Sequence, residues 1–256
     1  MFHFIWIELL YRPLLNILVL LHNLFGGNIG LAIISLTILI RLVLLPSSLK
    51  AARSQKMLAD LAPQLAELKK KHSADKERLA RAQVELYQKN KISPISGCLI
   101  FLIQLPIMIA LYTVFRDGLN LSRLDSLYSF ISRPEVINKM FLGIDLSLPD
   151  VSTPLSQLGS QYLVLPILAG LLQFILSKIS TPKRITERVS TEQIAAQQML
   201  FIFPLMTVFI ALRLPAGLAL YWVVTTVFGI GQQIFINKNK IGQNGGLETR
   251  KEVSNG

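Results

Sequence analysis

The apolar residues of this chain arrive in long blocks of roughly 18 to 22, the length an α-helix needs to cross a hydrocarbon layer about 30 Å thick. The blocks lie at about 29–48, 98–116, 161–179, 198–213 and 216–236. Of the 256 residues, 52% are hydrophobic and 16% charged, against about 25% charged in an ordinary soluble domain. A soluble enzyme is thereby disfavoured, and the expected fold class is an all-α integral membrane protein with five transmembrane helices. A lone cysteine, Cys98, can form neither an intrachain disulfide nor a thiolate zinc cluster, so packing must hold the fold together.

The net charge of +11, from 26 Lys and Arg against 15 Asp and Glu, matters through where it sits. Lys50 to Lys91 carries eleven basic and five acidic residues, whereas 117–160 carries three basic and five acidic. The positive-inside rule puts the first segment in the cytoplasm and the second outside. Lys178, Lys183, Arg184 and Arg188 follow the third block and Lys238, Lys240, Arg250 and Lys251 the fifth, in the same alternation. The N-terminus is then outside and the C-terminus inside.

Residues 1–26 are apolar but broken by Glu8, Arg12, Pro13, Asn16, His22 and Asn23, which reads as an extracytoplasmic interfacial amphipathic helix. A sixth span competes, as does a signal peptide, which would need a basic start and a small-residue cleavage pattern. In the cytoplasmic segment Leu58, Leu61, Leu65 and Leu68 make one helical stripe, His72-Ser73-Ala74 a break, and Leu79, Ala82 and Leu86 a second stripe. That is a helical hairpin in which Pro63 must start a helix or kink one. Such a hairpin either packs only on itself or offers its charge, Lys69, Lys70 and Lys71 included, to headgroups or a ribosome. The chain thus divides into the interfacial helix 1–26, spans 27–49 and 97–116 about the hairpin 50–96, an outer loop 117–160, and a third span 161–179. An inner loop 180–197 follows, then spans 198–213 and 216–236 as a hairpin turning at Arg213-Leu-Pro-Ala-Gly217, and a flexible tail 237–256.

Arg41 lies within the first span, roughly 10 Å from its cytoplasmic end. A guanidinium at a helix centre costs roughly 2.5 to 3.5 kcal/mol on insertion scales, and the five spans contain no Asp or Glu to pair with it. Either water hydrates it or its long stem snorkels to the headgroups. Gln104, Gln173, Gln232 and Gln233 also fall in the inner halves of their spans, whereas the outer halves hold hydroxyls and aromatics such as Tyr112, Thr207, Tyr221 and Trp222. A polar cavity open to the cytoplasm and the inner leaflet, and sealed outside, accounts for both patterns. Thr37, one turn above Arg41, either lines that cavity or bonds its own helix backbone. Pro46, Pro106, Pro166 and Pro204 put a proline in each of the first four spans, where kinks would splay the helices apart.

From about Pro13 to Asn237 these residues resemble the YidC/Oxa/Alb family of membrane protein insertases. NLFGGNIGLAIISLTILIRLVLLP is similar to the family's first core span, which gives Arg41 the role of the groove arginine. APQLAELKKKH with VELYQKNKISPISGC is similar to its cytoplasmic hairpin, and GCLIFLIQLPIMIALYTVFR to its second span, with Gln104, Pro106 and Tyr112 on matching positions. LPAGLALYWVVTTVFGIGQQIFINK is similar to its final span, with Trp222 at the groove-facing aromatic position. Thr226 stands where the family often has Asn, so an amide-dependent contact is not carried over. The resemblance implies the short five-span form in a bacterial inner (cytoplasmic) membrane, with Thr37, Leu105 and Met108 at substrate contacts, and the polar pattern of the spans adds Gln173, Tyr221 and Gln232 to the groove. It also implies partners: nascent membrane proteins, the ribosome, the general secretion channel and membrane lipids, with no specific nucleic-acid sequence.

In this reading the groove takes the polar part of a nascent membrane protein while its hydrophobic segment slides into lipid. No bond is made or broken, no cofactor or metal is required, and no Gly-x-x-x-x-Gly-Lys phosphate loop occurs. The alternative is a secondary transporter or channel for a small anion bound by Arg41, against which stand the apolar outer halves and the lack of an internal repeat. An intramembrane protease or lipid hydrolase would need paired aspartates or a Gly-x-Ser-x-Gly elbow, and neither is present.

Overall fold

The computed structural model describes residues 6–73, 75–90, 96–118, 120–148, 159–180 and 191–238. The described chain is mostly helical. A π-helical turn, Trp6–Tyr11, leads into α1 (Arg12–Leu24), followed by α2 (Ile29–Asp60), α3 (Ala62–Lys71), α4 (Lys76–Lys89) and α5 (Ser96–Gly118). Short strands β1 (Met140–Phe141) and β2 (Ile144–Asp145) pair antiparallel, and α6 (Val164–Ser180), α7 (Thr191–Ala211) and α8 (Ala216–Lys238) complete the bundle.

Gly26 and Gly27 both take positive φ, the left-handed geometry that lets the chain reverse between α1 and α2. Asn28 then caps α2, its Oδ1 accepting from Leu31 N–H at 3.0 Å. The helix does not stop at the membrane boundary expected near residue 49 but runs on as one rod to Asp60, so residues 50–60 belong to it. Pro63 sits in the first turn of α3, where its missing N–H costs nothing. Asp75 caps α4 by accepting from Glu77 and Arg78 N–H at 3.1 and 3.0 Å, and α4 touches α3. Pro46, Pro106 and Pro204 lie inside helices that continue through them, and Pro166 lies in the first turn of α6.

Helix α2 packs extensively on α8 and also against α5, which reaches α8 at a few positions, and α6 packs between α7 and α8. This departs from the hairpin expected of the last two spans. The turn at 212–215 is tight, yet α7 and α8 barely touch because α6 occupies the space between them. Gly170 lets α6 and α7 approach closely, since a Cβ there would lie 2.3 Å from Val208 on α7.

The core is an apolar cluster at one end of the bundle, built from Leu15, Leu18, Ile33, Leu36, Leu111, Phe115, Leu218 and Leu220. Leu124, Ile131, Ile144 and Leu146 from the loop 120–148 extend it and close that end. The loop is stitched to the helices on several sides. Leu148 and Leu146 carbonyls accept from Ala216 and Gly217 N–H at 2.7 and 2.9 Å, Asn28 bridges Asn138, and the Phe141 ring lies where a Gly30 Cβ would be.

Both ends of α1 sit at this capped end. Tyr11 donates to Asp117 Oδ2 at the last turn of α5 (3.0 Å), and Leu24 leads directly into the first turn of α2. Asn16, almost fully buried, donates to Arg12 and Ser126 carbonyls and accepts from Tyr128 N–H, and Asn23 donates to Ser132 O. Arg12, Asn16 and Asn23, which interrupt α1 in sequence, therefore bind the cap, whereas His22 Nδ1 meets only the Asn23 side chain. By length and composition Trp6–Leu24, Ile29–Leu58, Ser160–Ser180 and Ala216–Lys238 are each able to cross a membrane, and Leu200–Ala211 is a shorter apolar helix. Large apolar side chains on α2, α6 and α7, such as Leu42, Val43, Leu171, Leu205 and Phe209, face outward as in a protein solvated by lipid.

Candidate functional site

Three helices bring their few polar side chains to one seam. On α2, Arg41 lies roughly 18 Å from the capped N-terminus and is half-buried. Its Nε donates to Thr225 Oγ1 on α8 at 3.4 Å, and its Nη2 donates to Gln104 Oε1 on α5 at 3.4 Å. Gln104 Nε2 in turn donates to the Tyr221 hydroxyl. Because a guanidinium only donates, the Gln104 carbonyl must face Arg41 and its NH₂ must face Tyr221. Tyr221 and Thr225 are four residues apart on α8 and share a face.

Both contacts of Arg41 exceed the usual 2.7–3.2 Å range for N–H···O bonds. Its partners are neutral, and among the described residues no carboxylate pairs with it and most of its N–H groups stay unbonded. The charge is thus held at a defined place without being neutralised. Two turns further from the cap, Ser48 donates to Gln232 Oε1 at 3.0 Å and continues the polar line along α2 and α8.

The other sequence-derived candidates fall in different places. Thr37 is fully buried and its hydroxyl donates to Ile33 O at 2.6 Å on its own helix. Leu105 and Met108 are half-buried on α5, Met108 against the core. Trp222 is half-buried beside Tyr221, and its carbonyl accepts from Thr226 Oγ1 at 2.8 Å. Gln173 is half-buried on α6, a helix that packs with α7 and α8, and makes no hydrogen bond among the described residues. Lys69, Lys70 and Lys71 form the last turn of α3, and Lys238 is exposed at the end of α8. Lys240, Arg250 and Lys251 lie outside the described residues, as do 1–5, 149–158 and 181–190.

Two seam residues were not singled out by the sequence reading, Thr225 and Ser48. The available signal was spacing: Thr225 is one turn from Tyr221, and Ser48 is two turns from Arg41. No cluster of His, Cys, Asp and Glu able to hold a metal occurs among the described residues.

The family model described as 60Kd inner membrane protein matches residues 20–243. A relative called membrane protein insertase YidC 2, from Listeria innocua serovar 6a, is 34% identical over 243 residues, covering 92% of this chain and 74% of its own length. Membrane protein insertase YidC of Fusobacterium nucleatum subsp. nucleatum is 33% identical over 214 residues, covering 84% of this chain and 88% of its own. Among solved structures, one described as an active YidC insertase with its first transmembrane domain resolved aligns with a TM-score of 0.53 at 27% identity. It covers 86% of this chain and 44% of that one.

Proposed function

We propose that this chain, which belongs to the 60Kd inner membrane protein family of YidC and Oxa insertases, is itself a membrane protein insertase. The observation that carries the reading is Arg41, half-buried among apolar helices, loosely bonded to Gln104 and Thr225, and left with its charge and most of its donors free. A structural arginine would be saturated by fixed acceptors. This one is poised to receive an acidic or polar segment.

A polar stretch of nascent chain crossing lipid leaves each unsatisfied backbone group at a cost of several kcal/mol. The seam lowers that cost by offering Arg41, Gln104 and Tyr221 partway across, with Ser48 and Gln232 nearer the entrance. The substrate's hydrophobic segment passes along the apolar outer faces of the helices, and its partition into lipid drives the process. Neither a nucleotide nor a cofactor is consumed.

The basic α3–α4 hairpin and Lys238 lie at the cytoplasmic side in this reading, the cap and both ends of α1 outside, with α1 lying across the bundle as an interfacial helix. The ribosome and the general secretion channel are the partners we assign to the cytoplasmic face and the lipid-facing bundle. The membrane is the bacterial cell membrane.

A photo-crosslinking residue at Gln104, with a second on the lipid-facing side of α5, tests the reading against a stalled nascent chain of a single-spanning membrane protein. Crosslinks from Gln104 that weaken in Arg41→Ala support it. Absence of crosslinks from either site, with the protein folded and ribosomes bound, refutes it.

A further inference from the structure

The two residues joining β1 to β2, Leu142 and Gly143, both take positive φ, at 50° and 81°. Tight hairpin turns of this hand are the province of Asn-Gly, Asp-Gly and Gly-Gly, because a branched apolar side chain is strained in the left-handed region. Leu142 is nevertheless there, and it is 86% exposed. One residue thus carries a backbone penalty and a solvation penalty together. An Asn would remove both if the tip stood in water.

The hairpin is held rigidly. Phe141, its inward residue, lies over Gly30 in the first turn of α2, and Leu146 just beyond β2 is bonded to the first turn of α8. Its tip therefore lies at the level where these apolar helices begin. Around the Asn28–Asn138 bridge that anchors it, Leu24 and Leu31 on the helix side and Val136 and Met140 on the loop side are also exposed. This apolar collar leads onto the side of α2 on which Leu31 and, two turns on, Ile38, Leu39 and Leu42 are exposed, with half-buried Ile34 and Ser35 between them.

We propose that the β1–β2 hairpin is a membrane anchor whose tip, Leu142, inserts between the lipids of the leaflet at the capped end, with Met140 beside it. The occupant of the collar is lipid because the collar adjoins, through Leu31 and Ile34, a helix face that lipid solvates further along. Lys139 and Glu135, exposed in the same stretch, then sit at the headgroup boundary. The anchor fixes the cap relative to the bilayer, and it stands whichever side of the membrane the cap faces.

The test uses the full chain with Cys98→Ser in lipid discs of phosphatidylglycerol and phosphatidylethanolamine, carrying a bimane label at Leu142→Cys or, for comparison, at Asp125→Cys. Lipids brominated near the headgroup end of the acyl chain should quench the label at 142 several-fold more than at 125, and aqueous iodide should do the reverse. In a second arm, Leu142→Asn should fold at least as stably as the parent in detergent while a label at Met140→Cys loses most of its quenching by brominated lipid. Iodide quenching at 142 equal to that at 125 overturns the proposal. So does protection from both quenchers, which would mean that a protein surface covers the tip, and so does undiminished lipid quenching at 140 in Leu142→Asn.

Discussion

Arg41 and Thr225 meet across α2 and α8 at the same chain offset, 184 positions, that separates Ser48 from Gln232. Ile33 and Gly217, in contact near the cap, keep it too. Two parallel helices that hold one register over this length place their polar residues on a single line, each about two turns from the next. The seam is therefore a property of how α2 and α8 pack, into which α5 inserts Gln104.

Replacing Arg41 separates charge from geometry. Its two hydrogen bonds are long, so what it offers a substrate is charge and spare donors, and Arg41→Lys should retain more insertion activity than Arg41→Ala. The alanine variant should lose roughly tenfold or more, as expected for a charge-assisted hydrogen bond. Insertion of a single-spanning substrate into proteoliposomes measures both, and equal loss in the two variants would assign the role to the guanidinium's fixed geometry.

Tyr221→Phe removes the partner of the Gln104 NH₂ while leaving Arg41 in place. Hydrogen bonds between membrane helices average about 0.6 kcal/mol, so the expected drop in insertion is roughly threefold, smaller than for Arg41→Ala. A loss as large as that of Arg41→Ala would show that the tyrosine contacts substrate directly.

Gly30→Ala drives a methyl into the Phe141 ring, whose nearest atom would be 2.1 Å from the new Cβ. Overpacking of this kind costs about 1–3 kcal/mol. Thermal unfolding in detergent should show the loss, and Phe141→Leu in the same chain should recover part of it; strict additivity of the two changes would contradict the contact.

Asn16→Ala strips the two hydrogen bonds by which it joins α1 to the cap, leaving Tyr128 N–H without a partner and Ser126 O with Arg12 Nε alone. Buried groups left unpaired cost about 1–3 kcal/mol. Hydrogen exchange at Tyr128 should accelerate roughly tenfold or more while α2 and α8 stay protected.

Truncation after Asn237 removes Lys238 and, beyond the described residues, Lys240, Arg250 and Lys251. Ribosome co-sedimentation should weaken, with a shallower dependence on salt. Unchanged binding at low salt would shift the role to the α3–α4 hairpin.

The apolar blocks were legible in the sequence because lipid imposes length and composition directly on each helix. Arg41, Gln104, Tyr221 and Gln232 were legible because polar atoms stand out in such blocks. Thr225 and Ser48 were not, since a helical hydroxyl more often bonds its own backbone, as Thr37, Thr113, Thr207 and Thr226 do here. The extension of α2 to Asp60 was hidden for a different reason: helical hydrogen bonding takes no notice of where the apolar residues end. The close approach of α6 to α7 rests on Gly170, a single missing methyl group that periodicity does not register.

Bonds from the cap to the first turns of α2 and α8 make that end a pivot. When two rods are joined at one end, their separation grows with distance from the joint. Ser48, roughly 28 Å from the start of α2, must then part from Gln232 further than Arg41, at roughly 18 Å, parts from Thr225. The pair has the geometry of forceps: an opening is widest at the tips, narrower at mid-shaft, and smallest where Ile33 meets Gly217 beside the joint.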